Sequence, residues 1–247
     1  MKRSRAILAG AVIGAIGYVT LVRPRSLRWG SSFRERSRVW PGDEFMPEPV
    51  TQSTRVITIH ASAECVWPWV AQLGQDRGGF YSYTPLENLV GADMKNADEI
   101  HPEWQHRNVG DKVWLGTPEK FDGKAYMIVA RWIPGRSLVL VAPPDWDRIG
   151  TGKAADHTVW SLIVEPLSPK SCRLIARSLG GPGQTTKEKL TNYIFWEPAH
   201  FIMERGMMLG IKNRAEAGNR PCLPLRLYQT AASIADTAQK FRTLSRK

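Results

Sequence analysis

Short apolar runs separated by polar turns fill the middle of the chain. Residues 54–60 alternate around Ile57 and Ile59, which is typical of a strand with one buried side. Further strand-like runs lie at 112–115, 125–132, 137–141, 157–165 and 172–178. The turns between them are rich in Gly, Pro and Asp, and such turns join neighbouring strands. The pattern therefore predicts one antiparallel sheet.

Three segments have helical rather than alternating spacing of apolar residues. Two are short, at 64–73 and 86–90, and each is followed by a glycine that ends it. The third, 199–216, is the longest apolar helix and comes last. Its sheet-facing side is predicted to carry Ile202, Met203, Gly206, Leu209 and Gly210. The order of strand, two helices, sheet and long helix predicts an α+β domain over residues 54–219.

The two ends of the chain differ in pattern from this domain. Residues 29–53 contain Pro and Gly among polar positions and are interpreted as a linker. Residues 220–247 form a basic tail with apolar positions at helical spacing. This tail is predicted to be a helix that either docks on the domain or lies on a membrane surface.

Residues 6–22 are seventeen consecutive uncharged positions between basic flanks. A helix of that length reaches about 25 Å, the short end of a transmembrane span. We favour a membrane anchor over 1–28, against a cleaved signal peptide or an interfacial helix, because the basic residues that directly follow the segment resemble a stop signal rather than a cleavage site. Ala6, Gly10 and Gly14 recur every four residues, a spacing that favours self-association of the anchor. The heavier basic flank follows the segment, which predicts that the domain faces the cytoplasm.

The formal net charge of +11 is concentrated at these ends. Residues 1–38 carry +8 and residues 220–247 carry +5, whereas the middle is close to neutral. A nucleic-acid-binding domain would place its positive surface on the fold itself, so we expect no nucleic-acid partner. Basic ends suit an anionic membrane instead. Within the middle, Arg173 and Arg177 share one side of a strand, predicted to be a solvated outer side rather than a grip for a ligand carboxylate.

Four sequence runs resemble a membrane-associated group of the START/polyketide-cyclase (SRPBCC) superfamily. They are RGGFYSYTPLENLVG at 77–91, PEWQ at 102–105, GD at 110–111 and FIMERGMMLGIKNRAE at 201–216. The resemblance spans about 29–216. It implies the helix-grip fold, in which a curved antiparallel sheet wraps on a long C-terminal helix and encloses an apolar cavity. It does not specify a ligand, because one fold serves many functions.

If the implied cavity is present, polar, aromatic and flexible residues of the last helix and of the 77–91 run are candidates to line it. Methionines adapt to varied apolar ligands, tyrosines suit a wet rim, and Gly206 is expected to leave open space. Glu87 is either a pocket acid or a structural partner of Arg77 or of a backbone amide. Ordinary core packing remains an alternative for each. The candidate ligand-binding residues are Tyr81, Tyr83, Glu87, Trp104, His200, Met203, Gly206 and Met207.

No catalytic, cofactor or metal motif accompanies these residues. The chain lacks a G-x-S-x-G elbow and a G-K-[ST] phosphate loop, and its histidines and cysteines lack metal-ligand spacing. We therefore expect a membrane-anchored protein that binds a hydrophobic small molecule or lipid. Two alternatives stay open. One is a polyketide cyclase/dehydrase-like enzyme that uses Tyr83, Glu87 or His200, and the other is a membrane scaffold whose cavity is filled by its own side chains.

Overall fold

The protein is described by a computed structural model over residues 14, 17–89, 91–182 and 191–217. One six-stranded sheet lies at its centre, in the order β1-β6-β5-β4-β3-β2, and every neighbouring pair is antiparallel. The strands are β1 (Thr51–Ile59), β2 (Lys112–Trp114), β3 (Tyr126–Ile133), β4 (Ser137–Val141), β5 (Thr158–Ser168) and β6 (Ser171–Gly180). The antiparallel sheet predicted from the alternating runs is confirmed.

Six α-helices accompany the sheet in the described part of the chain. They are α1 (Arg23–Leu27), α2 (Phe33–Ser37), α3 (Ala63–Ala71), α4 (Thr84–Leu89), α5 (Pro143–Gly150) and α6 (Glu197–Ala217). The sequence predicts α3, α4 and α6 but not α5, which opens on two prolines that read as a turn. Proline is tolerated there because the first helical turn has no intrahelical use for its N–H.

The longest helix, α6, packs against α3 and β1. The core between helix and sheet joins inner-side strand residues to the helix, including Ile59, Leu162, Leu174, Met208 and Ile211, each at most 1% exposed. A sheet covered on one side by a long C-terminal helix is the helix-grip arrangement. The α+β class and this arrangement are as the sequence predicts.

The side of α6 that meets the sheet is one residue away from the predicted side. Its buried stripe consists of Glu204, Met207, Met208, Ile211 and Ala215. Ile202 is 48% exposed and Leu209 is half-buried, so the predicted sheet-facing side was wrong. The reason is that Gly206 and Gly210 contact residues 81–83 instead of the sheet. Glycines mark close approach of a second segment, and the sequence pattern does not show which segment approaches.

The outer side of the sheet is covered by part of the segment 29–50, as far as residue 46, and by α5. Trp40, 3% exposed, packs on Val56, Ile163 and Ile175 of three adjacent strands. A second outer cluster contains Met46 with Phe45 and the α5 residues Trp146 and Ile149. The segment interpreted from the sequence as a linker therefore lies packed on the sheet up to residue 46.

Two ion pairs fasten this segment to β6. Arg173 pairs with Glu35 at 2.9 Å, and Arg177 pairs with Asp43 at 2.6 Å. Both arginines point to the outer side of the sheet, as predicted, but that side is not solvated, since Arg177 is only 6% exposed. Their role is to hold residues 29–50 in place, and they form no grip for a ligand.

Most of the predicted anchor and the whole predicted tail, 220–247, lie outside the described residues. Within the described residues, no helix combines the length and the apolar character needed to cross a membrane. The described end of the anchor segment forms a π-helical turn, Tyr18–Val22. It contacts the π-helical turn before α6, Asn192–Trp196, through the edge-to-face pair of Tyr18 and Tyr193, and it contacts the first residue of α6 through the Arg23–Glu197 ion pair at 2.8 Å.

Candidate functional site

A buried ion pair connects β1 with α6. Side chains alternate along β1, so Arg55 lies on the same inner side as Ile57 and reaches the buried stripe of α6. Its Nη1 lies 2.6 Å from Oε2 of Glu204, and the two side chains are 1% and 0% exposed. Removing two charges from water is costly unless their geometry and hydrogen bonding are good.

The remaining hydrogen-bonding capacity of the pair is largely used by neighbouring groups. Nε1 of Trp160 donates to Oε1 of Glu204 at 2.8 Å, and Nε of Arg55 donates to the carbonyl of Ser26 at 2.9 Å. The ring of Phe201 lies 5.2 Å from the guanidinium of Arg55. Burial alone would raise the pKa of Glu204, but Arg55 and these donors hold it below its usual value. Glu204 is therefore a carboxylate whose charge is balanced by Arg55.

His200 lies one helical turn before Glu204. Its Nε2 is 3.5 Å from Oε1 of Glu204, and its ring packs edge-on against Trp160 at 5.8 Å. Burial lowers the pKa of His200, although Glu204 acts in the opposite direction, so the imidazole is neutral at pH 7. Its side chain nevertheless keeps 43% of its surface exposed. Because Trp160 belongs to the inner core, the boundary between sheet and helix reaches the surface at an opening beside His200, at the start of α6.

Apolar side chains surround this opening without being covered. Inside, Phe80 stacks on Trp160 with the ring centroids 6.2 Å apart. Outside, large apolar side chains of the described residues remain exposed just before α4, on α4 and on the turn before α6; they are Tyr83, Leu86, Leu89, Phe195 and Trp196. Ile202 is exposed too, but it lies two residues after His200 and therefore on the opposite side of α6. The second half of α6 is closed by contrast, with Met207 and Met208 at 1% and 0% exposure. The site is therefore at the first half of the helix.

Three of the sequence candidates meet next to this opening. The hydroxyl of Ser82 donates to the carbonyl of Met203 at 2.8 Å, which brings the start of α4 onto α6. A Cβ at Gly206 would lie 2.7 Å from the ring of Tyr83, so this glycine permits close packing and does not face open space. Tyr83 itself is 39% exposed, and Met203 is half-buried.

Two other candidates lie in different surroundings. Tyr81 is 3% exposed and packs edge-on against Trp69, with the guanidinium of Arg214 at 4.8 Å from its ring. Burial raises the pKa of its phenol above the usual value. The ring of Trp104 packs at a tilt on His101, with the centroids 4.1 Å apart. These contacts give Tyr81 and Trp104 packing roles, so of the two tyrosines expected at a wet rim only Tyr83 lies at the surface.

Glu87 on α4 is a buried acid without an ionic partner. It is 7% exposed, and its Oε2 has no hydrogen-bond partner in the described part of the chain. Burial raises its pKa to about 7. Arg77, its predicted partner, instead donates to the carbonyls of Trp104 and His106 at 3.0 Å. Arg77 is therefore not the partner of Glu87, and the role of Glu87 as a pocket acid stays a prediction.

Replacing Glu87 with glutamine should stabilise the protein at pH 8 but not at pH 4.5. The folded-state pKa near 7 exceeds the usual 4.5, so the unfolded chain loses the proton first. Stability is then lost as the pH rises from about 4.5 to 7, by up to about 3 kcal/mol. The glutamine amide does not ionise, so the variant does not lose stability in this way. Urea denaturation at both pH values measures the free energy of unfolding of variant and wild type, with the exposed Glu64→Gln as control. An equal effect of Glu87→Gln at both pH values would contradict the assignment.

One cluster in the described residues has the composition of a metal site. Ligand atoms of Asp145, Asp156 and His157 lie within 4.8 Å of one another. The carboxylate of Asp145, however, already accepts the backbone N–H groups of Asp156, His157 and Thr158 at 2.9–3.2 Å. These bonds fix the turn before β5, which explains the cluster without a metal.

Comparisons with known proteins give distant structural similarity only. No family model and no curated protein matches the chain. Among solved structures, a conserved protein of unknown function from Enterococcus faecalis is 11% identical, with 76% of this chain and 85% of that chain covered and a TM-score of 0.35. A polyketide cyclase-like protein from Corynebacterium glutamicum is 16% identical, with 70% and 90% covered and a TM-score of 0.31. A protein from Arthrobacter aurescens is 14% identical, with 75% and 94% covered and a TM-score of 0.37. Scores this low carry no functional argument, so the helix-grip description rests on the strand order and on α6.

Proposed function

We propose that the protein binds an uncharged hydrophobic small molecule or lipid between the first half of α6 and the inner side of the sheet. The observation that carries this proposal is the opening at His200 and Trp160, which is surrounded by exposed apolar side chains. Soluble proteins rarely leave such apolar groups exposed together unless they contact a ligand, a partner or a membrane. Ligand sites typically combine an apolar lining with a few oriented polar groups.

The charges of the site favour an uncharged ligand group. Arg55 is the cation nearest to the interior of the site, but its charge is balanced by Glu204 at 2.6 Å. A ligand carboxylate would have to displace this pair, at the cost of leaving a buried charge without its partner. Neutral His200 can instead donate or accept one hydrogen bond at the entrance. This supports a ligand with a long apolar part and one neutral polar group.

We also propose that the chain is held at a membrane by residues 6–22. The basic character of residues 1–38 supports this proposal. Further support comes from the exposure of Val19, Leu21 and Val22 at 42%, 56% and 55% on the described end of that segment. Since Tyr18 and Arg23 contact the residues that begin α6, the site opens close to the proposed anchor. A lipid could then pass between the bilayer and the site over a short distance.

The substitution Met203→Glu should lower the affinity of the purified full chain for a fluorescent fatty-acyl probe at least about tenfold. The charge would have to be desolvated beside the apolar probe, and about 1.4 kcal/mol suffices for that factor. Met203 lies three residues after His200, on the same side of α6, and is only half-buried, so the fold should tolerate the change. The control is Leu167→Glu, which alters a residue 59% exposed at the far end of β5. Unchanged affinity in Met203→Glu, or an equal loss in Leu167→Glu, would argue against this site.

A cyclase-like enzyme is the second candidate, and the His200–Glu204 pair favours it. A neutral, exposed imidazole beside a carboxylate can accept a proton from a bound substrate, while the carboxylate stabilises the resulting imidazolium. His200→Gln should then retain the bound molecule but abolish its conversion, which mass spectrometry of the bound molecule would detect. A pure binding protein would return the same molecule from wild type and variant.

A further inference from the structure

A concavity lies between α1 and α2, around the turn that joins these helices. It encloses about 420 Å³ and opens to solvent. Its lining consists of Arg25, Arg28, Trp29, Gly30, Ser31 and Arg36. Three of these six residues are arginines, and they come from α1, α2 and the turn that joins them. The turn therefore gathers three guanidinium groups around one space.

These arginines are not neutralised by acids in the described part of the chain. Nη1 of Arg25 donates to the carbonyl of Leu21, and Nη1 of Arg36 donates to the carbonyl of Ser31, both at 2.7 Å. The nearest acid in the sequence, Glu35, is engaged by Arg173 and by Ser32. Other arginines of the fold do have acidic partners, as in Arg23–Glu197, Arg38–Glu165, Arg173–Glu35, Arg177–Asp43 and Arg214–Asp98.

A fourth cation contributes to the same region. The guanidinium of Arg205 on α6 lies over the ring of Trp29 at 5.2 Å, and Trp29 is part of the lining. An indole ring beside several guanidinium groups forms a rigid wall with a positive rim. The concavity is therefore a built site for an anion with several oxygen atoms, since guanidinium groups bind phosphate through pairs of parallel hydrogen bonds.

We propose that this concavity binds the phosphate of an anionic membrane-lipid headgroup. The position favours a lipid over a free phosphate, because the exposed apolar residues Val19, Leu21 and Val22 immediately precede α1. An apolar surface next to a cationic one matches the boundary between acyl chains and headgroups. The proposal rests on the membrane attachment proposed above but not on ligand binding at α6.

Native mass spectrometry of the full chain in a neutral detergent tests this site. The chain is mixed with equal amounts of dioleoyl phosphatidylglycerol and dioleoyl phosphatidylcholine. Wild type should retain the anionic lipid over the zwitterionic one by at least about tenfold, since three guanidinium groups next to one headgroup attract its negative charge. Combining Arg25→Gln, Arg28→Gln and Arg36→Gln should bring the ratio close to one.

The matched control combines Arg136→Gln, Lys153→Gln and Lys170→Gln, three exposed residues outside the concavity, and should keep the wild-type preference. Three results would overturn the proposal. They are an equal retention of both lipids by wild type, an equal fall in preference in the control, and full displacement of the lipid by sn-glycerol 3-phosphate, which would assign the site to a free phosphate ester. Met203→Glu, which alters the α6 site, should leave this lipid ratio unchanged, so failure of the α6 site is separable from failure of this one.

Discussion

Replacing Glu204 with glutamine should lower the free energy of unfolding by about 3–5 kcal/mol. The substitution keeps the shape of the side chain but leaves Arg55, 1% exposed, as a buried cation without its carboxylate. The hydrogen bond that Trp160 donates at 2.8 Å is also weakened, because its acceptor is no longer charged. Urea denaturation at pH 7 measures the loss.

A double substitution distinguishes the effect of losing the ion pair from the effect of a side chain that fits poorly. Combining Arg55→Met with Glu204→Met removes both charges and retains apolar volume, so it should recover most of the stability lost in Glu204→Gln. The exposed Glu64→Gln should change stability by less than about 0.5 kcal/mol. Two results would show that the pair does not hold β1 to α6. One is a fall of less than about 1 kcal/mol in the free energy of unfolding of Glu204→Gln, and the other is a double variant that is less stable than Glu204→Gln.

Gly210→Ala should destabilise the protein by about 2–3 kcal/mol, although alanine is the better helix former. A Cβ at this position would lie 2.0 Å from the backbone carbonyl oxygen of Tyr81, which a rotamer change cannot relieve. The segment at 81–83 would have to move away from α6, and with it the start of α4 that borders the proposed site. A thermal melt monitored by circular dichroism measures the effect.

Gly150→Ala is the matched control. Gly150 ends α5, and a Cβ there meets nothing within 4 Å. Its replacement should leave the melting temperature unchanged or raise it slightly, because alanine lowers the entropy of the unfolded chain. If both variants behave alike, α6 does not depend on close contact at Gly210.

Sequence periodicity was sufficient to predict the sheet and the last helix. The run at 137–141 coincides with β4, because a short apolar run bounded by turns has few alternatives. The predicted helix 199–216 differs from α6, Glu197–Ala217, only at its ends. Both elements follow from the spacing of apolar residues within one segment, and this spacing can be read directly from the sequence.

The contacts between elements were harder to predict. The alternation along β1 places Arg55 on the inner side, and the spacing of His200 and Glu204 places them on one side of a helix. Neither pattern shows that Arg55 and Glu204 meet across 149 residues. The signal that could have found them is the presence of one charge on each otherwise apolar side, because buried charges are paired.

The candidate site was predicted in part. Tyr83, Met203 and Gly206 do meet, since the 77–91 run folds onto α6. Met207 was placed on the correct helix but lies in the closed core at 1% exposure. Glycine and methionine occur both in packed and in open interiors, so their presence alone could not show where the space lies.

Photolabelling with a diazirine-bearing fatty acid reports where an apolar ligand lies on the protein. The purified full chain is irradiated with the probe, digested and mapped by mass spectrometry. We expect label at 80–89 and 195–203 that unlabelled fatty acid displaces. A concavity of about 440 Å³ between Phe45 and α5, on the outer side of the sheet, is the internal comparison. Label confined to that outer concavity, or label at α6 that competitor does not displace, would show that the proposed ligand site at α6 is wrong.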